Sequence, residues 1–245
     1  MEVQILGVDE AGRGPVIGPL VVCSLCIPKS DYEILNILGV NDSKKLSRKK
    51  REYIFEEIMK FIGNGNWTLG IRISSALEID SNSINSDLNT LEIELFVDSI
   101  LKCANENCEG VIYADACDVD EKRFGIRLRE GLGIKLKNWE IISKHGMDSI
   151  NLVTSAASIV AKVIRDNEIK DLERSLDIEI GSGYPSDPKT IKAVIELCNG
   201  KFPHDSIRWS WSTVRKVWKE LGRGNPPIRN YDGQITVETR IDDWG

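Results

Sequence analysis

The chain has 245 residues, 41% of them hydrophobic and 29% charged, with a formal net charge of −6. This balance describes a soluble globular protein of one large domain, alone or with a small appendage. No apolar run approaches the ~20 residues of a membrane span, and the chain enters a strand almost at once, leaving no room for a signal peptide, so the expected location is the cytoplasm; with no large exposed apolar stripe evident, the expected state is a monomer.

Val3, Ile5, Leu6 and Val8 predict a buried strand over 3–9 that ends directly in Asp9 and Glu10. On a regular strand these two carboxylates point to opposite faces. They converge only if the strand stops at Asp9 and the following glycines bend the chain. Gly12, Arg13 and Gly14 then offer bare amides and a guanidinium beside the acids. Carboxylates suit a hard divalent cation, while amides and Arg suit a phosphate. The pattern is that of a metal site built to meet a phosphodiester; its plainer alternative is an acidic surface turn. A dinucleotide fingerprint is excluded, because it needs a third spaced Gly and a helix start, and Pro15, Gly18 and Pro19 oppose a helix here.

A second strand is expected over 17–27. It carries Cys23 and Cys26, which three residues apart on a strand face opposite sides and cannot share a metal. The six cysteines therefore read as buried free thiols. Six of the eight residues from Lys44 to Arg51 are basic, and this run opens a helix expected over 47–62. A strand over 66–74 and a helix over 87–103 follow, the latter from the spacing of Leu88, Leu91 and Leu95.

Val111, Ile112, Tyr113 and Ala114 make a short apolar strand, 110–115, that ends in Asp115 and repeats the design at Asp9. Parallel neighbours of this kind set their terminal carboxylates side by side, where like charges repel unless a cation intervenes. Asp118 and Asp120 read as caps for a helix over 120–132. After a strand over 138–143, Asp148 precedes an apolar helix over 150–175, where local sequence favours an N-cap. Asp166, deeper in that helix and four residues past Lys162, is the rival acid, and an ion pair along the helix accounts for it equally well. Helices over 187–199 and 211–221 complete the pass. A second basic cluster, Arg208, Arg215, Lys216, Lys219 and Arg223, is interleaved with Trp209, Trp211 and Trp218. It reads either as a nucleic-acid surface or as a solvated helix face. From Gly222 to Asp232 the chain turns Gly- and Pro-rich, which separates residues 1–224 from a tail over 225–245. Strands clustered first and then alternating with helices indicate an α/β fold with a mixed sheet flanked by helices.

The blocks GVDEAGRGPVIGPLVV, NDSKKLS, YADACDVD, KHGMDS followed by VTSAASIVAKVIRD, and GSGYPSDP stand in the order found in type 2 ribonuclease H. The chain closely resembles ribonuclease HII over about residues 3–220, and its FP…IRWSWST segment is similar to archaeal members. The resemblance implies a ribonuclease H-like fold with a C-terminal helical extension. It also implies an endonuclease that hydrolyses the RNA strand of RNA/DNA hybrids and cuts 5′ of ribonucleotides embedded in duplex DNA, using two divalent ions, Mg²⁺ or Mn²⁺. Asp9, Glu10, Asp115 and Asp148 match the family's four metal acids, which decides for Asp148 over Asp166. Gly12, Arg13 and Gly14 match its reader of the ribose 2′-hydroxyl, and Tyr184 its deoxyribose-packing tyrosine. Asn41, Ser43 and Lys44 match positions near the substrate backbone. One departure is the Gly146-Met147 pair before Asp148, where members often carry Lys-Ala. Other metal nucleases of the same fold, of the integrase or resolvase type, would share the acids without a 2′-hydroxyl reader. A non-catalytic nucleic-acid-binding domain would have lost an acid. The end of the chain, with Ile241 and Trp244 three apart, resembles a sliding-clamp-binding box, although Glu238 replaces its Gln and Gly245 its second aromatic.

Overall fold

The structure, a computed structural model, describes residues 3–230, 232 and 234–236. The chain divides into two compact units. The first comprises residues 1–11, 21–73 and 89–165, the second residues 12–20, 74–88 and 166–245.

The first unit is built on a five-stranded sheet of order β3-β2-β1-β4-β5. Its strands are β1 (Gln4–Ala11), β2 (Leu20–Pro28), β3 (Thr68–Ser74), β4 (Gly110–Asp115) and β5 (Trp139–Lys144). β1 runs antiparallel to β2 but parallel to β4, and β4 parallel to β5, so the sheet is mixed. All five strands and the helices α2 (Arg48–Gly63), α4 (Leu88–Cys103) and α5 (Glu121–Leu132) fall close to their expected positions. Local chemistry explains this: Ser47 caps α2 by accepting from the Lys50 amide at 3.3 Å, and Asp120 caps α5 by accepting from Lys122 and Arg123. Two helices escape the sequence reading. α1 (Tyr32–Ile37) is too short to show a period. α3 (Ala76–Asn85), which belongs to the second unit, buries Asp80 and Ser81 as well as Ala76 and Ile79, so it lacks an apolar stripe.

The long helix α6 (Leu152–Leu176) supplies Val153, Ala156, Ala157 and Val160 to the core formed with Val21, Leu25 and Ile27 of β2. It approaches the sheet closely at Gly7, the central residue of β1. A Cβ there would lie 2.2 Å from the Thr154 amide nitrogen, a distance no real side chain tolerates. Gly7 is therefore the point at which helix backbone rests on strand backbone.

The second unit holds the rest of α6, α7 (Pro188–Leu197) and α8 (Ser212–Glu220) around a core of Ile17, Ile180, Val194, Trp209 and Trp218. The stretch read as a tail contains a small ribbon, β6 (Ile228–Arg229) paired with β7 (Ile235–Thr236). Arg229 is 2% exposed, bonded to Asp80 at 2.9 Å and lying over the Trp209 ring. Among the described residues no helix is long and apolar enough to cross a membrane.

Gly7→Ala is expected to cost at least about 2 kcal/mol of stability, because overpacking against backbone cannot be relieved by a rotamer change. Thermal unfolding of the two proteins side by side measures it, and an unchanged melting temperature would show that α6 does not bear on β1.

Candidate active site

In the first unit, parallel pairing puts Val8 opposite Ala114, so Asp9 and Asp115 follow as neighbours at the ends of adjacent strands. Asp148 comes from the short 3-10 turn Met147–Ser149 after β5. Each of the three offers a carboxylate oxygen, and these atoms lie within 4.8 Å of one another. Asp9 is 3% and Asp148 4% exposed.

The route to this convergence differs from the expected one. β1 does not stop at Asp9: it pairs with β2 through Glu10 and Ala11. Glu10 is not one of the trio, although its amide donates to Asp9 Oδ1 at 2.7 Å and its charge acts on Asp9 more strongly than that of Asp115. Asp148 is not the cap of α6 either. Asn151 takes that role, its Oδ1 accepting from Val153 and Thr154 at 2.9 and 3.1 Å. Asp148 is thereby left without a helix to cap. Asp166 lies outside the trio. The Gly146-Met147 departure fits the geometry. Gly146 has φ +64°, which glycine adopts without strain, and the buried Met147 donates its amide to Asp115 at 3.0 Å.

Burial holds the Asp9 carboxyl well above the usual carboxylate range, reinforced by the charges of Glu10 and Asp115 and opposed by Lys162 and a Ser158 hydrogen bond. Burial also raises Asp115, with Asp148 adding to it and the Met147 and Gly146 amides working against it. Groups that resist ionisation together accept a divalent cation readily, and an all-oxygen donor set suits a hard ion such as Mg²⁺ or Mn²⁺. Asp118, by contrast, is held down at about 2 by Arg123, whose Nε donates to it at 2.9 Å, so it serves α5 and not the site.

Lys44, 72% exposed, reaches Asp148 at 3.8 Å, which raises the lysine's own pKa. Asn41 is exposed, and its carbonyl accepts from Ser155 Oγ at 2.7 Å. Ser43 is fully buried, its hydroxyl bonded to Lys162 and Ser158, so it cannot itself meet a substrate. The rest of the basic run is largely structural: Lys50 donates to the Leu38 carbonyl, Arg51 to that of Leu46, and Arg48 pairs with Glu52.

In the second unit, the Gly12–Gly14 loop is held by Arg208, a residue with no exposed surface. Its guanidinium donates to the carbonyls of Gly12 at 2.6 Å, Arg13 at 2.9 Å and Gly18 at 3.1 and 3.2 Å. Trp211 Nε1 donates to the Gly14 carbonyl at 3.3 Å, and a Cβ on Gly14 would touch the ring of Tyr184, which is 41% exposed. Gly12 has φ +98°. The interleaved Trp and Arg residues are thus not one nucleic-acid surface. Trp209 and Trp218 are core, and Arg223 lies over Trp218 while donating to carbonyls at the end of α7. Arg208 escapes sequence reasoning as a loop clamp; its signal is an Arg set between two large apolar residues, Ile207 and Trp209.

The family described as Ribonuclease HII matches residues 6–214. The chain is similar to the Ribonuclease HII of Thermococcus sibiricus, 42% identical over 217 residues that cover 88% of this chain and 91% of that one. Among solved structures it is similar to the ribonuclease H2 of Pyrococcus horikoshii, with a TM-score of 0.77 and 36% identity, covering 91% of this chain and all of that one. It is also similar to RNase HII in the PCNA:RNase HII complex from Archaeoglobus fulgidus, with a TM-score of 0.74 and 32% identity over 98% and 99% of the two chains.

A raised carboxylate pKa means that the folded state holds more protons than the unfolded state between the two pKa values, so stability from these groups falls as pH rises through that window. In a chelator, Asp9→Asn is therefore expected to melt higher than the unmodified chain at neutral pH. The gap should close as pH falls below about 4, near the unfolded carboxylate value. A gap that stays constant with pH would contradict the mutual repulsion.

Proposed function

The chain belongs to the ribonuclease HII family and is a ribonuclease H, and we propose that it hydrolyses the RNA strand of RNA/DNA hybrids and cuts 5′ of ribonucleotides embedded in duplex DNA. The observation that carries this reading is the trio of carboxylates within 4.8 Å at the ends of two parallel strands and an adjoining turn.

Asp9, Asp115 and Asp148 would hold the divalent metal, with Glu10 as the fourth acid that the family pattern adds. Two such ions, when bound, lower the pKa of an attacking water and stabilise the departing 3′-oxygen of an in-line displacement. The protein's own contribution is placement and charge. The carboxylates fix where the scissile phosphate must sit, and the exposed Lys44 meets the phosphate backbone as a flexible point charge. Asn41 lies in the same loop. Ser43 serves by holding that loop from below. The amides and carbonyls of Gly12, Arg13 and Gly14 would read the 2′-hydroxyl, the one group that distinguishes RNA from DNA at a given position. A reader left unpaired by deoxyribose rejects it strongly, since buried polar groups are costly to leave unmade. The half-exposed Tyr184 ring would pack on the neighbouring deoxyribose.

A duplex carrying one ribonucleotide, with and without Mg²⁺, beside an all-DNA control tests the reading. The expected result is Mg²⁺-dependent cutting 5′ of the ribonucleotide and none of the control. Asp115→Asn and Asp148→Asn should each lose at least ~100-fold, since a metal's charge stabilisation is worth several kcal/mol. Asp166→Asn should retain turnover. Tyr184→Phe should keep most activity, and Tyr184→Ala should lose much of it. Cutting of the all-DNA duplex would point instead to a general metal nuclease.

A partner reading stands apart from the chemistry. Ile241 and Trp244 lie outside the described residues. Their spacing and the relative solved with PCNA support a sliding clamp as the partner. A peptide of residues 234–245 should bind the cognate clamp in the micromolar range typical of short apolar plugs, and no binding at high micromolar concentration would remove the clamp.

A further inference from the structure

Three successive carbonyls of the Gly12–Gly14 loop are taken by two side chains of one short segment, residues 208–211. Arg208 donates to the Gly12 carbonyl at 2.6 Å and to the Arg13 carbonyl at 2.9 Å, and Trp211 Nε1 donates to the Gly14 carbonyl at 3.3 Å. The two donors are themselves joined. The Arg208 guanidinium carbon lies 4.8 Å from the centre of the Trp211 ring, and the Trp211 amide donates to the Arg208 carbonyl at 3.0 Å. Trp211 is the residue that precedes α8, and its ring packs against the core that α8 helps to build. The indole is therefore held in place by the helix behind it.

The effect on the loop follows from peptide geometry. No peptide bond among the described residues is cis. In a planar trans peptide the carbonyl and the following N–H point in opposite directions. Carbonyls of Gly12 and Arg13 that face Arg208 therefore turn the amides of Arg13 and Gly14 away from it. The next residue, Pro15, has no amide to aim, so the bond from Trp211 fixes where Gly14 itself lies. Beside Gly14 stands the Tyr184 ring, 3.4 Å from the position a Cβ would take. The carbonyl just before Tyr184, that of Gly183, accepts from the Val16 and Ile17 amides at 2.8 and 3.3 Å. Gly14 is thus the point where the amides that would meet a ribose come up against the ring that would pack on the next sugar.

We propose that Trp211 is a positioning residue for ribose recognition, its indole N–H fixing the Gly14 carbonyl so that the Arg13 and Gly14 amides stand at a set distance from the Tyr184 ring. The indole acts through the loop and not by contact with substrate. A loop held at three carbonyls is preorganised and spends little binding energy on its own ordering. Without the third bond the Gly14 end is free to shift, which weakens the contact with the sugar and leaves sequence-independent phosphate contacts as they were. The inference rests on the reading of Gly12, Arg13 and Gly14 as the group that meets the 2′-hydroxyl.

The test compares Trp211→Phe with the unmodified chain in two measurements made with Mg²⁺. One is steady-state cleavage of a duplex carrying a single ribonucleotide; the other is inhibition of that cleavage by an all-DNA duplex of the same sequence. Phenylalanine keeps a ring beside Arg208 and removes the indole donor. Its kcat/KM on the ribonucleotide duplex should fall about 3- to 10-fold, the scale of one hydrogen bond. The inhibition constant of the all-DNA duplex and the melting temperature should stay as they were. An unchanged kcat/KM overturns the proposal. So does an equal loss of cleavage and of all-DNA binding, which would mark a general disturbance of the surface. A variant that no longer folds also overturns it, because Trp211 would then serve the core alone. An unmodified chain that cuts the all-DNA duplex as readily as the ribonucleotide duplex would instead remove the ribose reading itself.

Discussion

Three carboxylates with oxygens within 4.8 Å, two of the residues nearly without solvent, are a costly arrangement on which the site depends. Burial opposes charge on each acid, and each charge opposes the others. The chain tolerates this because the backbone leaves the acids no alternative place. Asp9 and Asp115 follow the last parallel pair of β1 and β4, Val8 and Ala114, and Asp115 in turn anchors the Met147 amide one residue before Asp148. Relief comes from nearby positive charge and oriented amides in the free protein and, in the ribonuclease HII reading, from divalent cations in the working enzyme. An arrangement so poor for stability and so well suited to a hard cation belongs to function, where natural proteins keep such conflicts.

Helix α6 is the element through which the first unit keeps this geometry. It rests on β1 at Gly7, its Thr154 hydroxyl donates to the Tyr113 carbonyl of β4 at 3.0 Å, and Ser155 and Ser158 reach the 41–44 loop. One helix face therefore touches the strand that carries Asp9, the strand that carries Asp115 and the loop that carries Lys44. The glycine-rich loop of the second unit is shaped in a different manner. Arg208 fastens three of its carbonyls at once, a task for a planar fork of donors that a lysine could not copy. Loop conformation there is set by a buried cation, not by the glycines alone.

Much of this was legible in the residues. Apolar runs followed by acids marked β1 and β4, Asp120 announced α5, and the ordered blocks pointed to the family and to Asp148. Less legible was anything set by a partner distant in the chain. Read locally, Asp148 looks like a cap, yet Asn151 holds that position. Glu10 looks like the twin of Asp9, yet the strand continues to Ala11 and Glu10 is not one of the three clustered acids. Lys162 looks like a partner for Asp166 along its own helix, yet it reaches across to Ser43. The Trp and Arg residues near 208–223 look like a binding stripe, yet two of the tryptophans are core and Arg208 is a clamp.

The division follows from the range over which each force acts. Helix caps, strand alternation and hydrophobic period are settled within a few residues by backbone sterics and local hydrogen bonds, so the sequence by itself determined most of the elements, their order and the candidate acids. Convergence of Asp9, Asp115 and Asp148 depends on parallel pairing between strands about a hundred residues apart, and the cost of bringing them together appears only when water has been excluded from the site. Which acids converge and which arginine becomes a clamp was therefore decided by the tertiary structure, because burial and the identity of the facing neighbour, neither of them local quantities, determine what a buried charge can do.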